Sequence, residues 1–159
     1  MSKYNVQGYL DLLNESYKFI KYYDQRYNKN INSLNYKNKL RYHLFCFSQI
    51  VFALRDRLFS DYNEKHCKIC TFFEKNKKAE TEVGIVIKLA NEWKHDGGFS
   101  LRQQYSLLKE IKPSIYVPTR VEQKLPKDHK YNTKDKNLIF IFKKCMSDIT
   151  KFCNENNFT

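Results

Sequence analysis

The apolar residues of this chain recur at alternating intervals of four and three, which is the period of one face of an α-helix. Three segments carry this pattern over several turns, namely about Tyr4–Tyr27, about Leu34–Asp61 and a last segment that begins near Thr133. A fourth segment, from about Glu82 to Lys94, follows Thr81, whose hydroxyl suits the position that caps the start of a helix. These segments predict four long helices.

The second of these helices carries two apolar stripes. Its main face repeats through the positions Leu40, Leu44, Phe47, Val51, Leu54 and Leu58. A second stripe through Cys46, Ile50 and Ala53 widens the buried face. A helix that is apolar on two sides is expected to lie at the centre of a bundle.

Two stretches depart from the long-helix pattern. Residues 63–79 are compatible with a short helix that ends in a lysine-rich run, and Gly97 or Gly98 is placed to end the helix that follows. Residues 99–131 hold all three prolines and alternate Ile115, Val117 and Val121 with polar neighbours. That pattern favours a small β ribbon or an extended loop. The predicted fold is therefore a single all-α domain over residues 1–159, a bundle of four long helices plus a short helix, with the ribbon or loop inserted before the last helix.

The charge balance adds a candidate class of partner. The chain has 29 basic and 17 acidic residues, a net charge of +12. A field of this sign attracts polyanions, RNA or DNA above all. The alternative is a composition rich in lysine and asparagine that only keeps the surface hydrated.

The sequence also predicts where the protein resides. No run of about 18 apolar residues is present, so no membrane-spanning helix and no membrane partner are expected. The N-terminal segment lacks the uninterrupted apolar core of a signal peptide. Five cysteines, an odd number, fit a reducing compartment better than a disulfide framework. We therefore expect a cytoplasmic protein.

The segment HCKIC is the one candidate metal site. His66, Cys67 and Cys70 have the spacing of half a zinc site, but no second ligand pair is present, and a thioredoxin-like motif would need a βαβ context. We expect no metal and no cofactor, with Cys70 buried and Cys67 a bystander thiol. His43, in the middle of the second helix, is expected to be a hydrogen-bonded core or boundary residue.

The segment IVIKLANEWKHDGG carries the candidate chemistry. On a helix, Asn91 and His95 lie one turn apart, on a stripe separate from the apolar face, so the amide can orient the imidazole. A histidine with a pKa near neutrality can act as acid or base when the ribose 2′-hydroxyl attacks a phosphodiester. The phosphate also needs a cation, and the candidates are Lys88, Lys94, Arg55 and Arg57. The alternative is that cations gather here because the last turn of a helix favours them.

Two elements together, SQIVFALRDRLFSD and then IVIKLANEWKHDGG in a basic all-helical chain, resemble the HEPN superfamily. That family comprises small helical bundles, often homodimers, found in ribonucleases, toxins and antiviral defence systems. Its nuclease motif is an arginine, a polar residue such as asparagine and then a histidine. Asn91 and His95 match the last two, whereas Ala90 stands where the arginine is expected. More closely, the chain looks like a group of HEPN-like bacterial proteins in which that arginine is often not retained.

Three functional hypotheses follow. The resemblance implies a homodimeric RNA-binding protein or weak metal-independent ribonuclease of a defence or toxin system, with His95 as the acid or base near the dimer cleft and Asn91 as its orienter. The second hypothesis is a non-catalytic helical module that binds a protein partner or nucleic acid. In the third, the polar cluster only joins two helices. In all three, Asp56 is expected to belong to a partly buried structural network.

Overall fold

The computed structural model of the chain describes residues 5–30, 33–79, 81–95 and 138–158, with the backbone alone at 92–95 and 138. Within these ranges the chain forms five α-helices and no strand. The helices are α1 (Val6–Lys29), α2 (Leu34–Asp61), α3 (His66–Ala79), α4 (Glu82–His95) and α5 (Leu138–Glu155), with a 3-10 turn, η1 (Asn63–Lys65), before α3. The all-α prediction is confirmed.

The predicted helix bounds agree with the structure to within about two residues wherever they can be compared. Helix α2 has the predicted bounds, α1 is displaced by two residues at each end, and the ambiguous stretch 63–79 forms η1 and α3. The predicted ribbon at 99–131, the stop at Gly97 or Gly98 and the helix start near Thr133 lie outside the described residues.

Side-chain caps fix where two of the helices begin. Ser33 Oγ accepts a hydrogen bond from the backbone N–H of Tyr36 at 3.3 Å, and Thr81 Oγ1 accepts one from the N–H of Gly84, also at 3.3 Å. Each bond satisfies a donor that the first turn of a helix leaves without an intrahelical partner. The predicted cap at Thr81 is confirmed.

Helix α2 lies at the centre of the bundle, as its two stripes predict. Its main stripe is fully buried, and the stripe through Cys46, Ile50 and Ala53 is half-buried. The N–H of Ser33 donates a hydrogen bond to the carbonyl of Asn30, so the connection between α1 and α2 is short. Because the connection is short, α1 runs antiparallel to α2. On another side, the Phe47 ring packs edge-on against Phe142 of α5, with centroids 5.0 Å apart.

Helix α4 is more deeply buried than its periodicity predicts. Every residue of Glu82–Ile87 is buried, as are Leu89 and Ala90. The run VGIVIKLA is apolar on nearly all sides, which is typical of a helix enclosed by others. Gly84, two turns before Asn91 on the same side of α4, is packed against the backbone of Asn76 in α3, so this side of the helix begins inside the bundle.

The residues after α5 return to the corner between α2 and α3. The Tyr62 hydroxyl donates to the carbonyl of Phe158 at 3.0 Å, and Lys65 Nζ donates to that of Asn156 at 2.8 Å. The Phe158 ring is fully buried there, 4.7 Å from that of Tyr62. These contacts fasten α5 to the bundle.

None of the helices in the described ranges is long and apolar enough to cross a membrane.

Candidate functional site

The backbone of α4 places the two motif residues as predicted. The helix continues through His95, so Asn91 and His95 are one turn apart on the same side of it. Asn91 and Lys88, one turn before it, are both half-buried. The side chains of Lys94 and His95 lie outside the described residues, so their predicted roles stay predictions.

A hydrogen bond joins α2 to α4 at the motif. Gln49 Nε2 donates to the carbonyl oxygen of Ala90 at 3.3 Å, immediately before Asn91 in the chain. Sequence reasoning missed Gln49, because periodicity marks which positions face the core and not which backbone carbonyl a polar side chain will reach.

Ala90, where the resemblance to the HEPN motif leads one to expect arginine, is 0% exposed. An arginine side chain there would have to enter the packed interior between helices and carry its charge with it, which costs several kcal/mol, on the order of 3 or more, without a partner. An arginine at this position is therefore disfavoured, and we expect any cation for a phosphate to come from another position.

The guanidinium of Arg55, on α2, is in contact with two neighbouring side chains. Its guanidinium carbon lies 4.0 Å from the centroid of the Phe52 ring, and its Nη2 is 3.1 Å from Asp56 Oδ1. The Arg55 side chain is 25% exposed. Arg55 follows Gln49 by six positions, which is a rise of about 9 Å along the helix and a rotation of about 120° around its axis. Arg55 is thus on the helix that contacts α4 at Ala90.

Arg57 is held by a different carboxylate from Arg55. Its Nε donates to Asp61 Oδ2 at 2.6 Å along α2. Two residues apart on a helix, Arg55 and Arg57 point in directions about 160° apart around the axis. Each arginine pairs with its own carboxylate and the two side chains are about equally exposed, so the predicted role of either one toward RNA stays a prediction.

Asp56 is more exposed than expected. Its side chain is 57% exposed, and its ion-pair partner, Arg55, is its neighbour on the same helix. An exposed ion pair of this kind contributes little to stability. A link from Asp56 to Asn91 and His95 stays a prediction, since the imidazole lies outside the described residues.

His43 is a boundary residue, as expected, but the contacts of its ring are aromatic. The imidazole lies nearly parallel to the rings of Phe19 and Tyr23, with centroids 4.8 and 5.2 Å away. Burial, and then the charge of Lys39, lower the pKa of His43 below its ordinary value. This histidine faces α1, apart from the contact between α2 and α4.

The HCKIC segment has no metal-site geometry in the described ranges. His66 packs against the Phe59 ring at 4.8 Å, Cys67 is exposed and Cys70 is half-buried, less than expected. Within this part of the chain, no three His, Cys, Asp or Glu residues are grouped to hold a metal ion.

Two further thiols are buried. Burial raises the pKa of Cys145 well above its ordinary value and that of Cys153 to about 12. Both thiols therefore stay protonated and unreactive at neutral pH.

Comparison of the chain with protein-family models, with curated proteins and with solved structures finds no match. The likeness to HEPN proteins therefore rests on the residues themselves, above all on Asn91 and His95 in α4 and on the arginine-bearing segment of α2.

Proposed function

We propose that this chain is a HEPN-like helical protein that associates with RNA at the junction of α2 and the C-terminal turns of α4. The hydrogen bond from Gln49 to Ala90 is the observation that carries the proposal, because it sets the α2 surface beside the residue that precedes Asn91. The net charge of +12 supports a polyanionic ligand. A defence or toxin system is the setting that the HEPN resemblance implies.

The proposed site contains residues that supply positive charge and one residue that orients the imidazole. The groups proposed to pair with phosphates are Arg55, which is held over Phe52 and is 25% exposed, and Lys88, which is half-buried on α4. Lys94 is proposed to add charge in the last turn of α4. Asn91 is proposed to orient the imidazole of His95 through its amide.

Binding is better supported than cleavage. In a metal-independent reaction, the 2′-hydroxyl loses its proton to a base and attacks phosphorus, and the 5′-oxygen leaves with a proton from an acid, which yields a cyclic phosphate. His95 could transfer those protons. Because Ala90 is buried where the motif arginine is expected, phosphate charge would have to be neutralised by Arg55 or Lys88. We therefore propose RNA binding as the main activity and cleavage as weak.

The resemblance also implies a homodimer. A second copy is proposed to bring its own His95 to a shared cleft and so to double the positive charge that an RNA strand meets. Sedimentation of the protein with and without RNA tests this part of the proposal.

RNA binding is tested by fluorescence anisotropy with a labelled RNA, on the wild type and on Arg55→Gln and Asn91→Ala. Arg57→Gln is the matched control, since it removes an arginine from the other side of the same helix. We expect Arg55→Gln to weaken binding roughly tenfold, the size of a charge-assisted hydrogen bond, and Arg57→Gln to change it little. Affinity should fall steeply between about 50 and about 200 mM salt.

Cleavage is tested separately with the same RNA in the presence of a chelator. We expect a slow cleavage that His95→Ala abolishes while RNA affinity is retained. Absence of any RNA binding at low salt would contradict the whole proposal and favour the alternative, a helical module that binds a protein partner.

A further inference from the structure

Exposed rings are concentrated on one face of the α1–α2 hairpin. Phe19, Tyr22 and Tyr42 are 48%, 47% and 52% exposed, and they are three of the five large apolar side chains that stand out in solvent in the described ranges. Single exposed apolar residues are ordinary, whereas a contiguous group marks an interaction surface. We call this group, together with Tyr23 and His43, the aromatic face.

The rings of the aromatic face support one another. The His43 imidazole is tilted only 10° from the Phe19 ring and 11° from that of Tyr23. Tyr42 meets the imidazole edge-on at 5.1 Å, and Tyr22 meets Tyr23 edge-on at 5.0 Å. The rings are thus ordered before any ligand arrives, so little side-chain entropy is lost on binding.

Cations border the aromatic face. The Arg26 guanidinium lies 5.1 Å from the centroid of the Tyr22 ring. Lys39 is close enough to His43 that its charge lowers the pKa of the imidazole. Arg26 is near the end of α1 and Lys39 near the start of α2, and the hairpin is antiparallel, so the two charges lie at the same end of the face.

Carboxylates near these rings are either paired or buried. Glu15, one turn before Phe19, forms an ion pair with Lys18 at 2.9 Å. Asp24, which follows Tyr23, is buried within the bundle. An anionic ligand that approaches the aromatic face therefore meets rings and positive charge.

We propose that the aromatic face binds single-stranded RNA, whose unpaired bases stack on Phe19 and Tyr42 while Arg26 and Lys39 neutralise phosphates. Flat rings bordered by cations are the combination that single-stranded nucleic acid requires, because every base offers a π-face and every linkage a charge. A duplex buries those π-faces in its own stack. The inference rests on the proposed association with RNA and adds a second surface, distinct from Asn91 and α4.

The test compares a labelled oligouridine of about 20 nucleotides with a duplex RNA of the same length. The two differ in the number of bases that are free to stack on the protein's rings. The variant Phe19→Leu with Tyr42→Leu keeps apolar bulk and removes two rings. We expect it to weaken oligouridine binding by about 5- to 100-fold for each ring that stacks a base, with little effect on the duplex. Phe140→Leu removes an exposed ring from α5 and is the matched control, expected to bind as the wild type does.

Each contrary outcome has a separate meaning. Unchanged oligouridine affinity in the double variant, with Arg55→Gln still defective, would overturn this inference and leave the proposed function standing. A double variant that loses oligouridine while Arg55→Gln and Asn91→Ala bind normally would support the aromatic face and contradict the site on α4. Conversion of a dimer to monomers by the double variant, without loss of RNA affinity, would make the face a subunit interface and overturn the inference. Urea melts establish that each variant is folded.

Discussion

Gly84 of α4 lies so close to Asn76 of α3 that the two helices touch backbone to backbone. A Cβ atom added at Gly84 would overlap the Asn76 carbonyl oxygen and would stand 3.0 Å from the Cα of Lys77. The approach explains why a residue of poor helix propensity occurs in the first turn of a buried helix.

Gly84→Ala is expected to destabilise the fold by about 1–3 kcal/mol, because the added methyl group must push α3 and α4 apart. The free energy of unfolding, measured in urea, checks this. Gly8→Ala in the half-buried first turn of α1 is the control, since helix propensity alone should leave it neutral or slightly more stable. A Gly84→Ala protein as stable as the wild type would contradict the close approach.

Ala90→Arg introduces the arginine that the HEPN motif has at this position. We expect the substitution to destabilise the bundle by at least about 3 kcal/mol. The reason is that Ala90 is fully buried beside Gln49, so the new side chain brings both excess volume and an unpaired charge. Lys88→Arg, half-buried and one turn away from Asn91, should be tolerated. A stable Ala90→Arg protein with increased ribonuclease activity would show that the position is open to the site.

Asp56→Ala is expected to change stability by no more than about 0.5 kcal/mol, as for most exposed ion pairs. Gln49→Ala, by contrast, removes a partly buried bond between two helices and should cost about 0.5–1.5 kcal/mol. Parallel urea melts of the two variants compare them directly. If Asp56→Ala proves the more damaging of the two, Asp56 does belong to a network with the last turn of α4.

The stability of the protein is expected to fall as the pH drops below the ordinary pKa of histidine, in part because of His43. Burial and Lys39 lower the pKa of His43 in the folded protein, so the unfolded chain binds a proton more readily. Its contribution is present in full above the unfolded-state pKa, about 6.5, and declines as the pH falls towards the folded-state pKa. His43→Phe keeps a ring between the helices and cannot titrate, so the unfolding free energy of the wild type should decrease relative to that of the variant as the pH falls. A difference that is constant with pH would contradict this.

The fold could be predicted from the sequence where one face of a helix is apolar and the other polar. The α2 stripe from Leu40 to Leu58 gives both the bounds of the helix and its central place. Periodicity was less informative for α4, since residues that are apolar all round a helix do not say which side meets α3, and only packing identifies Gly84 as the contact.

The candidate site could be predicted in part. Asn91 and His95 were placed correctly on one helix because their spacing alone fixes it. Arg55 and Asp56 lie together in one segment of α2, and the sequence alone grouped that segment with Asn91 and His95. In the structure, the two side chains form an ion pair with each other. The aromatic face was missed because Phe19 and Tyr42 flank the apolar stripes, and no single-helix pattern shows that two flanks from different helices will meet.

The corner built from Tyr62, Lys65 and the residues after α5 has a consequence for the order of folding. Its two hydrogen bonds join residues 96 and 91 positions apart, whereas α1 with α2, and α3 with α4, are neighbours along the chain. Closing so long a loop is entropically costly, so the two local hairpins should assemble first and α5 should dock last. Until it docks, the surface around Phe47 and Phe72 is open to water. During synthesis this apolar surface stays exposed until α5 emerges from the ribosome. We therefore expect the chain to be most prone to aggregation in that period.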